Sequence, residues 1–412
     1  MSASEASAAV VDDDHREIGR RLDLFHMQEE APGMVFWHPA GWTLYRVLED
    51  AARRQVLAQG YREVRTPQLI DQRLWELSGH WQHFRADMFV LTDAAAPRAQ
   101  ALKPVSCPGH IAIAAHAAPS YRDLPMRLAE MGLVHRNEAR GALSGLFRLR
   151  QFTQDDGHVF CAEDQLIDEV ARFCAGLRRF YPGFGFAEAR VLLATRPPSR
   201  AGSDDVWDRA EEALARAARA AGIEPAPNPG GGAFYGPKLE FVLDDRSGRS
   251  WQCGTIQVDM ILPERFDLAY VAAGGQRERP VLLHRAMYGS IERFMAVLLE
   301  HHGVALPAWL APEQVRLATV GDADAVVRAA AALEARLAAA GVRVTVDAAN
   351  ATLSRRVRDA HDQGVPFLLV LGAREAARAT VSLRSVRAGG ATRELALDAA
   401  VAELALACAP PF

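Results

Sequence analysis

The sequence predicts an α+β protein, with an antiparallel β-sheet core flanked by helices and a small α/β domain after it. Three observations predict this. The strand-like segments LEFVLDD and SWQCGTIQVDMILP follow one another closely, which indicates antiparallel pairing and argues against a doubly wound sheet. Near LPAWLAPEQV the composition shifts, and beyond it strands and helices alternate over about 100 residues. A length of 412 residues suits two domains, each with ample core.

The elements follow in chain order. Residues 1–13 are small and polar and are expected to be disordered. Over residues 41–61, Leu44, Val47, Leu48, Ala51, Ala52 and Val56 share one helical face. The next stretch, YREVRTPQLIDQRLWELSGHW, reads as short extended segments with Pro67 at a turn. Helices are expected from Asp164 and from Asp204, the second capped by Ser203. FAEARVLLATRPPS between them reads as a strand, and PAPNPGGG interrupts the chain before the two consecutive strands. Beyond Pro312 the expected order is strand VRLATV, helix 324–340, strand VRVTVD, helix SRRVRDAHDQG, strands PFLLVLG and ATVSLRSV, then helix DAAVAELALACA. No internal repeat is visible.

Composition excludes several classes. A formal charge of −4, from 47 Lys+Arg against 51 Asp+Glu, excludes a generally basic nucleic-acid binder and leaves local basic patches open. Cys107, Cys161, Cys174, Cys253 and Cys408 are too sparse and irregular for a disulfide scaffold. No apolar run approaches the roughly 20 residues of a membrane span. The N-terminus has neither a basic segment nor an apolar one of the secretory kind. A cytoplasmic protein is expected.

Arginines give the first chemical signal. VHRNEARGALSGLFRLRQF places Arg136, Arg140, Arg148 and Arg150 around a Gly-containing loop with Glu138 inside it. Guanidinium forks match phosphate oxygens, so such a hairpin suits a polyphosphate, although a solvated basic hairpin has the same composition. Arg293 follows a Gly-Ser turn in YGSIERF, where a helix N-terminus and a guanidinium can share an anion. Cys107, His158 and His284 would not be grouped by spacing, because metal motifs usually cluster within a few residues.

HRNE with its following arginine, and GSIERF, resemble motifs 2 and 3 of class II aminoacyl-tRNA synthetases; TPQLID around Pro67 resembles motif 1, the dimer-forming segment. The segments SGHWQHFRADMF, CPGH, SYRDLPMRLAEMG, FTQDDGHVF, GAFYGPKLEF, QCGTIQVDMILP and HRAMYGSIERF resemble, in order, those of the threonyl-tRNA synthetase family. The similarity runs from about Asp14 to the end of the chain. It implies a class II catalytic domain over 14–305 and an anticodon-binding domain over 306–412.

The remaining expectations are what this resemblance implies. Cys107, His158 and His284 match the ligands of one zinc ion per chain. Gln154, Asp156, Tyr235 and Gln257 match the amino-acid pocket, Asp156 accepting from the threonine hydroxyl. Arg136, Glu138, Arg148, Phe152, Gln252 and Arg293 match the ATP site, used with Mg2+. Arg136, Arg293, Lys238 and His80 match catalytic positions, His80 that of transfer to the terminal adenosine. Asn350, Arg358, Glu375 and Arg384 match anticodon contacts. The implied activity is ATP-dependent threonine activation and transfer to the 3′ end of threonine tRNA by a homodimer.

Three departures stand out. The chain begins close to the catalytic core, so an editing domain is not expected in it and a separate deacylase is an expected partner. VSCPGH replaces the usual MNCPGH, and Ala139, Arg140 and Ser144 replace Pro, Ser and His in the motif 2 loop. Two other readings compete: an adenylating enzyme that passes threonine to a carrier protein or small acceptor, and a non-catalytic sensor of threonine or tRNA. The retained arginines and zinc ligands argue against the sensor.

Overall fold

The computed structural model describes residues 14–93, 97–349, 351–386 and 392–412. The chain forms two compact units. One comprises Met27–Val35 and Glu49–Val297; the other comprises Met1–His26, Phe36–Leu48 and Leu298–Phe412, as far as these are described.

The first unit is built on a sheet that, among the described residues, has eight strands. Their order is Ala226–Asn228, Arg190–Ala194, Lys238–Asp244, Ser250–Asp259, Val281–Ala286, Gln151–Cys161, Met126–His135 and Arg62–Glu63. Pairing is antiparallel throughout the centre, as expected, and parallel only at the two outermost pairs. The hairpin Met126–His135/Gln151–Cys161 is in continuous register over ten pairs, from Met126↔Phe160 to His135↔Gln151, and carries the arginine-rich loop at its tip.

Each face of this sheet is covered by helices whose apolar stripe the sequence supplies. Leu166–Phe180 and Asp204–Ala220 bury Phe173, Leu177, Trp207 and Leu214; the Phe173 ring meets Phe241 edge-on, with centroids 5.9 Å apart. On the cavity side, Cys107–Ala117 packs Ile111 and Ala114 with Leu128, Phe160 and Leu282, so its first residue, Cys107, is held over the strands. Ser203 stands at the N-cap of its helix but makes no side-chain cap bond.

One expectation is corrected. The second half of YREVRTPQLIDQRLWELSGHW is helical, as Gln72–Ser78 and His80–Phe84. Asp71 starts the first of these by accepting from the Arg73 N–H, and Gly79 ends it in the left-handed region at φ 81°. The Asp-x-x-Leu-Trp pattern carried that helix signal.

In the second unit a five-stranded sheet has the order Val344–Asp347, Val315–Thr319, Phe367–Leu371, Thr380–Ser385, Arg393–Ala396. The first three strands are parallel and the last two antiparallel. Asp324–Ala339 and Leu397–Ala407 pack on one face through Leu333, Leu337 and Leu404; Leu353–Asp362 packs on the other through Ala360. The short helix Ala373–Arg378 and the last strand were not anticipated. The first is six residues of alanine, arginine and one glutamate, too short to display a period.

Candidate active site

Sheet register assembles the site. Lys238 pairs with Gln257, Gln257 with His284, and His284 with His158, so four residues from four strands form one row. Alternation along Gln151–Cys161 puts Phe152, Gln154, Asp156 and His158 on the same face as that row. Gln252 and Gln257, five apart, should face opposite sides. A bulge at Cys253, between the pairs Phe241↔Gly254 and Val242↔Gln252, inverts the parity and brings both to the cavity.

The cavity holds about 500 Å³. It is lined by Cys107, Arg136, Glu138, Arg148, Phe152, Gln154, Asp156, His158, Tyr235, Lys238, Gln252, Gln257, His284 and Arg293. One end is cationic. The Arg136 guanidinium lies 5.1 Å from the Phe152 ring centroid, Arg148 pairs with Glu138 at 2.8 Å, and Arg293 donates to the Phe147 carbonyl at 3.2 Å. Ser290 caps the helix Ile291–His302 by accepting from the Arg293 N–H. Lys238 is engaged with Glu240 at 2.8 Å.

At the other end one ligand atom each of Cys107, His158 and His284 lies within 4.8 Å of the other two. His158 Nε2 and His284 Nδ1 are only 2.9 Å apart. His284 Nε2 faces the Asp259 carboxylate at 2.9 Å, and that carboxylate also accepts the N–H groups of Ile261 and Leu262. An acceptor-only partner puts the His284 proton on Nε2 and leaves Nδ1 as a lone pair. Burial pushes the Cys107 thiol well above its ordinary value, with Asp156 and Asp259 adding to the effect, and holds His158 well below its own, neutral. A soft thiolate and two imidazoles converging in this way fit a tetrahedral cation with an open position.

Asp156 lies beside the group, one carboxylate oxygen 3.9 Å from His158 Nε2, and burial raises its pKa. Its neighbour Asp155 points to the opposite face and accepts three N–H bonds, from Met287 (2.6 Å), Tyr288 (3.0 Å) and Gly289 (3.2 Å). Asp155 therefore ties the strand of His158 to the turn that carries Arg293. Glu292 does so again by accepting from the Thr153 N–H at 3.0 Å.

His80 does not line the cavity. It is 1 % exposed, behind Tyr235 and Phe234, with ring centroids 6.1 and 5.7 Å away. Ser78 Oγ gives its proton to the Trp75 carbonyl and so accepts from His80 Nδ1 at 2.9 Å, leaving Nε2 as an acceptor. Burial, with His284 and Arg136 nearby, lowers its pKa to about 3.

Of the residues matched to anticodon contacts, Arg358 is exposed on the helix Leu353–Asp362, and Arg384 is half-buried on the sheet face that this helix covers. Glu375 caps its own short helix by accepting from the Gly372 N–H at 3.1 Å. Asn350 lies outside the described residues.

The sequence reading missed the residues behind the site: Lys103, His110, Glu130, Asp155, Asp259 and Arg285. Their signal was a charge inside an apolar, alternating run, as Glu130 is in RLAEMGLVH. Burial alone would push the Glu130 carboxyl up; donors from His110, Lys103 and the Thr66 N–H outweigh it and hold the pKa at about 2, against an ordinary 4.5. With the folded value below the unfolded one, Glu130 stabilises fully above pH 4.5, and that stabilisation, up to about 3 kcal/mol, is lost as pH falls toward 2. Glu130→Gln should therefore lower the urea unfolding free energy at pH 7, and the gap to the unmodified protein should narrow by roughly half at pH 3. An equal gap at both pH values would contradict the assignment.

Comparison with known proteins places this geometry. Residues 90–302 match the tRNA synthetase class II core domain (G, H, P, S and T), and residues 314–405 match an anticodon binding domain. The threonine–tRNA ligase of Paramagnetospirillum magneticum is 52% identical over 400 residues, 97% of this chain and 62% of that protein. That of Paraburkholderia phytofirmans is 50% identical over 372 residues, 90% of this chain and 58% of the relative. The chain thus spans about three-fifths of the length of these curated relatives. A crystal structure described as the RNA binding domain of threonyl-tRNA synthetase from Cryptosporidium parvum superposes with a TM-score of 0.92 at 38% identity, covering 97% of this chain and 99% of that one. With the class II core matched over half its length and that relative matched almost end to end, the chain belongs to the threonyl-tRNA synthetase family.

Proposed function

We propose that the chain activates L-threonine with ATP and transfers it to the 3′ end of a threonine tRNA. The observation that carries this reading is the single cavity in which Cys107, His158 and His284 face Asp156 at one end and Arg136, Arg148 and Arg293 stand at the other. Residues 14–305 perform the chemistry and residues 306–412 read the anticodon through Asn350, Arg358, Glu375 and Arg384. The functional unit is a cytoplasmic homodimer joined around Pro67. The carrier-protein alternative is not favoured: the named relatives are tRNA ligases, and the C-terminal match is to an anticodon binding domain.

Cys107, His158 and His284 would hold zinc, which would supply an open Lewis-acid position for the amino group and hydroxyl of threonine. Asp156 accepts a hydrogen bond from the threonine hydroxyl, while Gln154, Tyr235 and Gln257 close the pocket around the amino acid. Phe152 and Glu138 receive the adenine, and Gln252 lies near the ribose. The threonine carboxylate attacks the α-phosphorus in line; the α–β anhydride bond breaks, giving threonyl adenylate and pyrophosphate. Arg136 stabilises charge at the α-phosphate, Lys238 steadies the carboxylate end, and Arg148 and Arg293 hold the γ-phosphate with Mg2+. The terminal ribose hydroxyl then attacks the carbonyl, the carbonyl–phosphate bond breaks, and the hydroxyl proton passes to the departing AMP phosphate. His80, neutral but too weak a base at a pKa of about 3 to take that proton well, serves as a hydrogen-bond acceptor once the aromatic wall around it opens.

The test is amino-acid-dependent ATP–pyrophosphate exchange, followed by charging of tRNA. Threonine should support both. Serine keeps the hydroxyl and lacks one methyl group, a difference of about 1–3 kcal/mol or roughly 10–200-fold, so serine should exchange detectably. Valine leaves Asp156 without its donor and should be rejected by roughly 10⁴ or more. A separate deacylase should then clear seryl-tRNA. Exchange with valine comparable to serine would overturn the pocket assignment.

Arg293→Ala removes a charge from the phosphate end without touching the amino-acid end. Exchange should fall by roughly 10²-fold or more. Near-normal exchange in that variant would remove Arg293 from the ATP site.

A further inference from the structure

Behind His158 runs a buried chain of side chains that ends on a fixed charge. His158 Nδ1 lies 2.7 Å from His110 Nδ1, His110 Nε2 lies 3.2 Å from Glu130 Oε2, and Lys103 Nζ donates to Glu130 Oε1 at 2.8 Å. Thr66 completes it, donating its hydroxyl to Glu130 at 2.8 Å and accepting from Lys103 at 2.8 Å. None of Lys103, His110, Glu130 or His158 is more than 2 % exposed.

The proton positions along this chain are forced in sequence. Lys103 only donates, and the Glu130 carboxylate only accepts. The proton between His110 and Glu130 therefore sits on His110 Nε2. With one proton on its ring, His110 offers a lone pair at Nδ1, and that lone pair can only accept from His158 Nδ1–H. His158 is left with an unprotonated Nε2, the atom that faces His284 Nδ1 at 2.9 Å. The opposite tautomer of His158 would set two lone pairs against each other at 2.7 Å and point an N–H at the ligand position.

We infer that His110, backed by Glu130 and Lys103, is a positioning residue for the metal: it locks His158 into the tautomer whose Nε2 can serve as a ligand. The inference rests on the zinc reading given above. Asp259 does the same for His284 with a single carboxylate. The chain behind His158 does it through a second imidazole, because the lysine and carboxylate lie one ring further back. Outer partners of this kind typically change metal affinity by about 10–100-fold.

The experiment is competition for Zn2+ against a chromophoric chelator, using the full chain, with circular dichroism as the folding control. His110→Leu removes the acceptor and should loosen zinc by about 10–100-fold. In His110→Asn the amide oxygen can occupy the place of Nδ1, and tight binding should return. Glu130→Gln keeps its amide oxygen toward Lys103 and the Thr66 N–H and so turns a donor to His110, which should loosen zinc as well. A packing role would lower the melting temperature of both His110 variants without separating their zinc affinities, and that result overturns the inference. If His110→Leu does not fold, wild-type affinity in Glu130→Gln overturns it equally. An unmodified chain that takes up no zinc refutes the zinc reading itself, a failure distinct from equal affinities among variants that do bind.

Discussion

The structure turns on two nitrogen lone pairs facing one another. His158 Nε2 and His284 Nδ1 stand 2.9 Å apart, each left unprotonated by the partner behind it. Uncompensated, that arrangement is repulsive, and burial, with Asp156 and Asp259 adding to it, disfavours the thiolate of the Cys107 beside it. A cation placed there would relieve all three at once, since both lone pairs could bind it and its charge would lower the thiol pKa. The rest of the site is measured from this point, because the register that pairs His284 with His158 also sets Gln257 and Lys238 in the same row.

Keeping the row rigid requires polar groups in places where apolar ones would pack more simply. Asp155 and Glu292 are buried carboxylates that accept backbone N–H groups of the neighbouring element. They cross-link the Cys107–His158–His284 end of the cavity to the Arg293 turn, so the two ends share one frame. Arg285, beside Asp155, is 2 % exposed and leaves Nε and Nη2 without hydrogen-bond partners, its guanidinium 4.5 Å from the Tyr61 ring. Gly157 makes room for it: a Cβ there would come within 2.4 Å of Arg285 Nε. Burial of this kind is costly in isolation. Here Arg285 Nη1 donates to the Asp155 carbonyl at 3.2 Å, joining its strand to that of His158.

Much of this was legible in the sequence, though unequally. Long amphipathic helices such as Asp204–Ala220 and the strands Lys238–Asp244 and Ser250–Asp259 were visible as patterns. The Gln72–Ser78 helix was missed because its evidence was an Asp cap and a Gly stop around only two turns. Spacing alone could not group Cys107, His158 and His284, since the register that joins them is a long-range property of the sheet; motif resemblance grouped them instead. Neither source revealed the bulge at Cys253 or the chain from Lys103 to His158, because parity at a bulge and the polarity of a hydrogen bond are fixed only in three dimensions.

The central claim is the ligand set, and X-ray absorption at the zinc edge of the purified, active protein tests it most directly. The account predicts about one zinc per chain with a single sulfur scatterer at about 2.3 Å and imidazole nitrogens at about 2.0–2.1 Å. Active protein without zinc, or zinc in a shell without sulfur, would contradict it.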